Sequence, residues 1–463
     1  MSRFWRVCGT LAATGVVAWA GSAPAVADLA DEGLWYYDLA NIGAIHDSGI
    51  TGEGVTIAVI DSPINLEVPT LAGADIQPQT SPCLLDDGEP RIASTSTDYD
   101  VAQHGTQMVS LLVGTGEGYD GQQGVKGIAP DATVLTYPID FDNQADDIAD
   151  ECPGSEARNP DDTNGHEGAA SLSIEAAIDA GVDIISMSMV TSSNLAMDNA
   201  VARAVREGVI LVAGVPNTDF GIQFGGAAPS DMNGVVSVTL GDRNGKAPHR
   251  IDYMDVVAPG IDILHQGIDG DWERQALAEG TSEATPFVSA TLALAMQAFP
   301  SATPNQLQQA LIRNTGFEAH DLAYDDEFGY GTVVPQTLLD SDPTAYPDVN
   351  PFVADFADVM PWVSEIWPGL PDPTVYSEGQ RPLPWYTPTA STAEPSTSDG
   401  ASTPAPVETS ADSSASAELV PDASGTPAWI LPVIIAVLVV AAVLVTVIIT
   451  MTRTRRSGGS HGS

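Results

Sequence analysis

Apolar residues in this chain gather in short, unbroken runs, and each run closes on a small or polar residue. Val55-Thr56-Ile57-Ala58-Val59-Ile60 ends on Asp61, Ile184-Ile185-Ser186-Met187 leads to Ser188 and Met189, and Val209-Ile210-Leu211-Val212-Ala213 leads through Gly214, Val215 and Pro216 to Asn217. Such runs, rich in β-branched residues and without an alternating polar face, mark strands buried on both sides, the kind found in parallel sheets covered by helices. Val134 to Pro138 and Val256 to Pro259 repeat the pattern. Two other segments predict helices. His104-Gly105-Thr106 opens the small and apolar stretch Met108 to Gly114, which places the histidine at a helix start. Gly280-Thr281-Ser282 opens a second helix that continues through Val288 to Met296 and is buried on most faces. Gly280 permits a tight turn, left-handed or not, and Pro286 suits an early helical turn.

These pieces carry chemistry when taken together. A serine hydroxyl becomes a nucleophile when an imidazole takes its proton, and the imidazole needs a carboxylate to fix its tautomer. Asp61 ends a buried strand, His104 stands before a helix, and Ser282 lies at a helix mouth where free backbone N–H groups can meet an oxyanion. Each has an ordinary alternative: a capping aspartate, a capping histidine, a capped helix, and for Asn217 a turn after a strand. Matched segments in this order argue against four separate coincidences.

Residues 280–289, Gly-Thr-Ser-Glu-Ala-Thr-Pro-Phe-Val-Ser, resemble the serine motif of the subtilisin-like peptidases, and the order Asp61, His104, Ser282 is the subtilisin order. The resemblance implies an α/β, three-layer fold with a central, mainly parallel sheet flanked by helices. It implies a catalytic triad of Asp61, His104 and Ser282, with Asn217 donating to the oxyanion. Ile184 to Met189 matches the strand bordering the family's substrate groove, which assigns Ser188, Met189 and Val190 to that groove. Further matches run from Trp35–Gly54 through Val125–Ala132 to Gly329-Tyr330-Gly331, so the resemblance covers about residues 30 to 340. There are departures. Pro63 and Pro216 stand where the family usually has glycine, Val215 where alanine is usual, and Gln107 where a second histidine often follows His-Gly-Thr. Pro216 removes an N–H and fixes its own backbone angle, which bears on how the Asn217 amide sits. Val190 and Thr191 replace small glycines at the groove wall, and β-branched side chains there imply narrow specificity.

The chain ends say where such an enzyme would work. Residues 1–27 carry Arg3 and Arg6, an apolar run from Val7 to Ala20, and Ala25-Val26-Ala27, the pattern of a secretory signal peptide. The peptidase domain is expected over 28–345. Residues 346–370 carry Phe352, Phe356, Met360, Trp362 and Trp367, and read either as a segment packed on the domain or as a docking site. Residues 371–427 are rich in Pro, Ser and Thr and read as a disordered linker. Residues 428–452 are apolar and long enough for a bilayer, which needs about 20 residues. Arg453, Arg455 and Arg456 follow in the tail 453–463, and positive flanks stay cytoplasmic. The expected protein is a type I single-pass cell-membrane protein with its catalytic domain outside.

Composition removes other classes. With 16 Lys+Arg against 62 Asp+Glu the formal net charge is −46, which argues against nucleic-acid binding. The acidic stretch from Asp140 to Asp162 has no well-defined calcium-ligand spacing and reads as a solvated loop, so no metal and no cofactor is expected. Removing the signal peptide removes Cys8 and leaves Cys83 and Cys152. In an oxidising exterior these are expected to form one disulfide, worth about 4 kcal/mol in the chain-entropy model.

Signal peptide, subtilisin-like domain, Pro-rich linker, single span and basic tail together resemble the mycosins, membrane-anchored proteases of type VII secretion systems. That resemblance implies a protein or peptide substrate and a type VII membrane complex as partner. From Asp28 to Asp61 the chain is too short for a folded inhibitory prodomain. Two function classes stay open: an active serine endopeptidase, or a structural member of a secretion complex whose proteolysis is weak or dispensable.

Overall fold

The computed structural model describes residues 29–353 apart from 85–87, 140–167, 192–194, 218–226, 250, 252, 317–319, 321 and 326. The expected signal peptide, linker, membrane span and basic tail therefore lie outside the described residues, as do Cys152 and the whole acidic 140–162 stretch. No helix among the described residues is long and apolar enough to cross a membrane.

The continuous apolar runs become a seven-stranded sheet. Its strands are β1 (Thr56–Asp61), β2 (Ile76–Pro78), β5 (Thr133–Pro138), β6 (Ile184–Met187), β7 (Ile210–Gly214), β8 (Val236–Gly241) and β9 (Val256–Pro259). They lie in the order β2-β5-β1-β6-β7-β8-β9, and every neighbouring pair is parallel. Two antiparallel hairpins stand outside it, β3 (Thr115–Glu117) with β4 (Gln123–Lys126) and β10 (Ile263–Ile268) with β11 (Asp271–Ala278).

Both faces of the sheet are buried, which is why its strands show no polar side. On β1, Ile57 and Val59 point into one core and Ala58 and Ile60 into the other. The first core is closed by α4 (Tyr99–Val113), α7 (Thr281–Ala298) and α8 (Pro304–Arg313), the second by α5 (Ala169–Asp179) and α6 (Leu195–Glu207). Each fully buried Val, Ile or Leu contributes about 1.5–3 kcal/mol by leaving water. Helix α7 touches β6, β7, β8 and β9 and is buried along most of its length, as its apolar run predicts.

Three short helices, α1 (Leu29–Gly33), α2 (Trp35–Leu39) and α3 (Ile42–Asp47), bring the chain in before β1. Trp35 Nε1 donates to the Ile261 carbonyl and the Tyr36 hydroxyl to that of Lys126. At the other end α9 (Pro335–Leu339) is followed by a segment that stays on the domain. Gly234 N–H donates to the Phe352 carbonyl, Gln309 Nε2 to that of Val349, and Phe352 is 1% exposed. Of the two readings for the stretch after 345, residues 346–353 follow the packed one.

Chain order makes β1 the switch point of the sheet. From β1 the chain builds outward to β2 and β5 on one side, then crosses to β6 and continues to β9 on the other. A crevice forms at the carboxyl ends of strands where such a reversal occurs. Asp61 closes β1, Ser188 follows β6 and Asn217 follows β7, so all three meet along that edge.

Candidate active site

His104 reaches Asp61 from α4. The histidine was expected at a helix start, but α4 begins at Tyr99, where the Asp98 side chain caps it by accepting from Asp100 N–H. His104 is thus the sixth helical residue. The polar sequence Tyr-Asp-Val-Ala-Gln hides that first turn from an apolar pattern. Gly105 explains the close approach: a Cβ there would lie 2.4 Å from the Ser62 carbonyl oxygen, and its N–H donates to Ser62 Oγ at 2.9 Å. The helix can therefore lie directly against the turn after β1.

Buried Asp61 and half-buried His104 form a hydrogen-bonded pair. His104 Nδ1 is 2.8 Å from Asp61 Oδ1 and 3.0 Å from Oδ2, and Ser62 N–H donates to Oδ1 at 2.7 Å. A carboxylate only accepts, so Nδ1 carries the proton, and in the neutral ring Nε2 is left as the proton acceptor. The Asp61 side chain is 2% exposed and that of His104 31%. Burial alone pulls the imidazole's proton affinity down. The Asp61 charge and hydrogen bond outweigh it, Glu283 adds to them, and the net effect is a pKa raised above the ordinary histidine value.

Ser282 is the second residue of α7 and is locked to the end of β6. Pro286 has no N–H, so the Ser282 carbonyl four residues earlier lacks its helical donor. Ser188 Oγ supplies one at 2.8 Å, and Ser282 Oγ donates in return to the Ser188 carbonyl at 3.1 Å. The left-handed conformation that Gly280 permits is not adopted: with φ 171° and ψ 163° the residue is extended. The glycine leaves room there, because a Cβ would lie 2.5 Å from Glu283 Oε2 and the carboxyl would have to shift. Met189 and Val190 follow Ser188 and are partly exposed, and Thr191 N–H pairs with the Ala228 carbonyl at 2.8 Å, fixing this wall of the groove.

Asn217 is oriented despite Pro216. Its Oδ1 accepts from Thr281 N–H at 2.9 Å, which ties the amide to the first residue of α7 and leaves its NH₂ group as the donor. The Pro216 carbonyl accepts from His249 Nε2 at 3.0 Å, so the turn is held on its far side as well. Thr281 Oγ1 donates to the Val215 carbonyl at 2.7 Å.

Behind Ser282 lies a pair that the sequence pattern passed over. Glu283 Oε1 is 3.3 Å from His265 Nε2, and the two side chains are 7% and 5% exposed. Neither Glu283 Oε2 nor His265 Nε2 has a hydrogen-bond partner. Burial pushes the Glu283 carboxyl above the usual range, and burial together with the His104 charge pushes His265 down to about 3. An acidic residue inside an otherwise apolar helical run was the available signal. His265, in a strand after a Pro-Gly turn, offered none.

Cys83 is buried and disulfide-bonded, while Cys152, its expected partner, lies outside the described residues. No group of three or more His, Cys, Asp or Glu among the described residues is arranged to hold a metal ion.

Comparison with known proteins bears on the same residues. The model of the subtilase family matches residues 52–331, which contain Asp61, His104, Asn217 and Ser282. A thermostable alkaline protease of Halalkalibacterium halodurans is 28% identical over 282 residues, covering 60% of this chain and 66% of that protein. Among solved structures, fervidolysin from Fervidobacterium pennivorans, a keratinolytic enzyme related to subtilisin, matches with a TM-score of 0.53 at 22% identity, covering 71% of this chain and 48% of that one. MycP1 with its N-terminal propeptide removed matches with a TM-score of 0.50 at 21% identity over 68% of this chain and 99% of that one. This chain thus spans just under two thirds of the alkaline protease and about half of fervidolysin, and the two structural likenesses concern the fold.

Proposed function

Because this chain belongs to the subtilase family, whose homologues are serine endopeptidases, we propose that it hydrolyses peptide bonds of protein substrates, outside the cell membrane and beside a type VII secretion system. The observation that carries the catalytic part is the pair His104–Asp61, with Nδ1 bonded to the carboxylate, on the sheet edge that also presents Ser282 and Asn217. Ser282 Oγ attacks the scissile carbonyl, His104 Nε2 takes its proton and returns it to the leaving amine, and Asp61 holds the ring and its charge. The Asn217 NH₂ and the backbone N–H groups opening α7 receive the oxyanion. Without substrate the Ser282 hydroxyl rests on the Ser188 carbonyl, and substrate binding turns it toward the imidazole.

The location rests on sequence: the cleavable leader 1–27, the apolar stretch 428–452 and the arginines after it. Cys152 is the partner assigned to Cys83. The likeness to mycosins in domain order suggests the secretion partner. Complementation of a deletion strain tests it. The full-length chain restores secretion, and full-length Ser282→Ala retains part of that support if the protein is also a structural component. A chain ended after Val353, past the buried Phe352, hydrolyses peptide but fails to support secretion. Full secretion from that soluble fragment would contradict the anchored role.

A further inference from the structure

The residue that follows the nucleophile carries a carboxyl group that the triad chemistry does not use. Glu283 lies in the first turn of α7 with its side chain buried. A Cβ on Gly280 would lie 2.5 Å from Glu283 Oε2 and 3.6 Å from Asn217 Oδ1, so the carboxyl and the oxyanion amide flank the same glycine. Glu283 Oε1 meets His265 Nε2 of β10 at 3.3 Å, and the two side chains are 7% and 5% exposed. Oε2, the oxygen on the Asn217 side, has no hydrogen-bond partner among the described residues. An apolar side chain would fill this place without leaving a buried polar atom unpaired, so packing does not account for a carboxyl here.

We propose that Glu283 is a brake on turnover: its carboxylate, set beside the Asn217 amide, opposes the oxyanion that this amide receives. The inference rests on the endopeptidase reading and deepens it. Negative charge appears on the substrate oxygen only as the tetrahedral species forms, so a fixed negative charge beside the oxyanion donor raises the barrier without weakening substrate binding. Inside the domain little water screens the repulsion. The imidazolium that forms on His104 at the same moment has its counter-charge in direct contact, on Asp61. A protonated Glu283 carboxyl carries no charge, so the brake engages as the group ionises. The charged and titratable groups facing it are His265 from β10, Glu279 from the turn before α7, His104 from α4 and Asp61 from β1. Strands β6 to β9, which pack on α7, carry none. Burial keeps His265 neutral, so it brings the carboxylate no counter-charge. Burial also pushes the Glu283 carboxyl above the usual range, which makes the brake engage with rising pH.

The test compares kcat of the full-length protein in detergent with that of Glu283→Gln on an uncharged chromogenic peptide across pH, with Ser282→Ala as the blank. The ratio of variant to parent is expected to rise with pH to about tenfold and then level off. KM is expected to stay within about twofold, because the opposed charge is absent from the bound substrate. A packing role alone would change kcat by one factor at every pH. In the parent, the infrared carbonyl band of a protonated carboxyl that is missing from Glu283→Gln should fade with the midpoint at which the ratio climbs. Should Glu283→Gln fail to fold, Glu283→Met, of similar length and without charge, carries the test with the same expected rise. A ratio that is flat, falls with pH or stays below one would overturn the brake and leave the endopeptidase reading standing. Absence of Ser282-dependent hydrolysis by parent and variants at every pH would overturn both.

Discussion

Ser282→Ala leaves the fold intact and removes peptide hydrolysis, with kcat falling on the order of 10⁶-fold. The packing argument is local. Ser282 is partly exposed, and the hydrogen bond of its hydroxyl is the 3.1 Å donation to the Ser188 carbonyl. Losing such a bond costs about 0.5–1.5 kcal/mol. The return bond, from Ser188 Oγ to the Ser282 backbone carbonyl, does not depend on the side chain and survives. It is the bond that covers the carbonyl left open by Pro286, so the helix opening keeps its geometry. The catalytic loss is large because no neighbouring hydroxyl can take the role: Ser188 Oγ is already committed to that carbonyl, and Thr281 Oγ1 to Val215. Circular dichroism matching the parent and a melting temperature within about 5 °C of it, together with absent hydrolysis, are the expected result. Substantial turnover by the purified variant would remove Ser282 from the nucleophile's place.

The second large effect is at Asn217. Asn217→Ala is expected to lower kcat by roughly 10²–10³, or about 2.7–4 kcal/mol, with a much smaller change in KM. An oxyanion donor works when it is aimed before the charge appears, and the Thr281 N–H to Oδ1 bond aims this one. The same bond predicts a second readout. Truncation frees the Thr281 N–H at the start of α7, which costs stability as well. Melting temperature and kcat should therefore fall together, whereas in Ser282→Ala the loss of kcat far outweighs the small loss of stability. A loss of kcat below about tenfold would mean that Pro216 has moved the amide out of reach.

Much of this architecture is legible in the residues, for a physical reason. Strands buried on both faces show no exposed polar side, so β1, β5, β6, β7 and β9 stand out as near-continuous apolar runs, and the chain leaves β1, β6 and β7 with a polar residue at the carboxyl edge of the sheet. Asp61, Ser188 and Asn217 were placed that way. Sequence reading fails where burial is not the signal. The first turn of α4 is polar and set by the Asp98 cap, so His104 was placed at a helix start instead of in its second turn. Gly280 signals backbone freedom in the sequence, but in the structure it leaves room for Glu283 Oε2, a contact that a pattern along the chain does not register. The Asn217 amide depends on Thr281 N–H and on His249 behind Pro216, contacts 64 and 33 positions away in sequence. His265 meets Glu283 through the placement of the β10–β11 hairpin beside α7, which no local spacing encodes.

The central claim is that Ser282 is an activated nucleophile served by His104 and Asp61. Fluorophosphonate labelling of the purified protein, with the modified peptide located by mass spectrometry, tests it most directly, because an unactivated serine does not react at a useful rate. One labelled residue is expected, Ser282, with labelling lost in His104→Ala and in denatured protein. Absence of labelling in the folded protein, or labelling at Ser282 undiminished by His104→Ala, would contradict it.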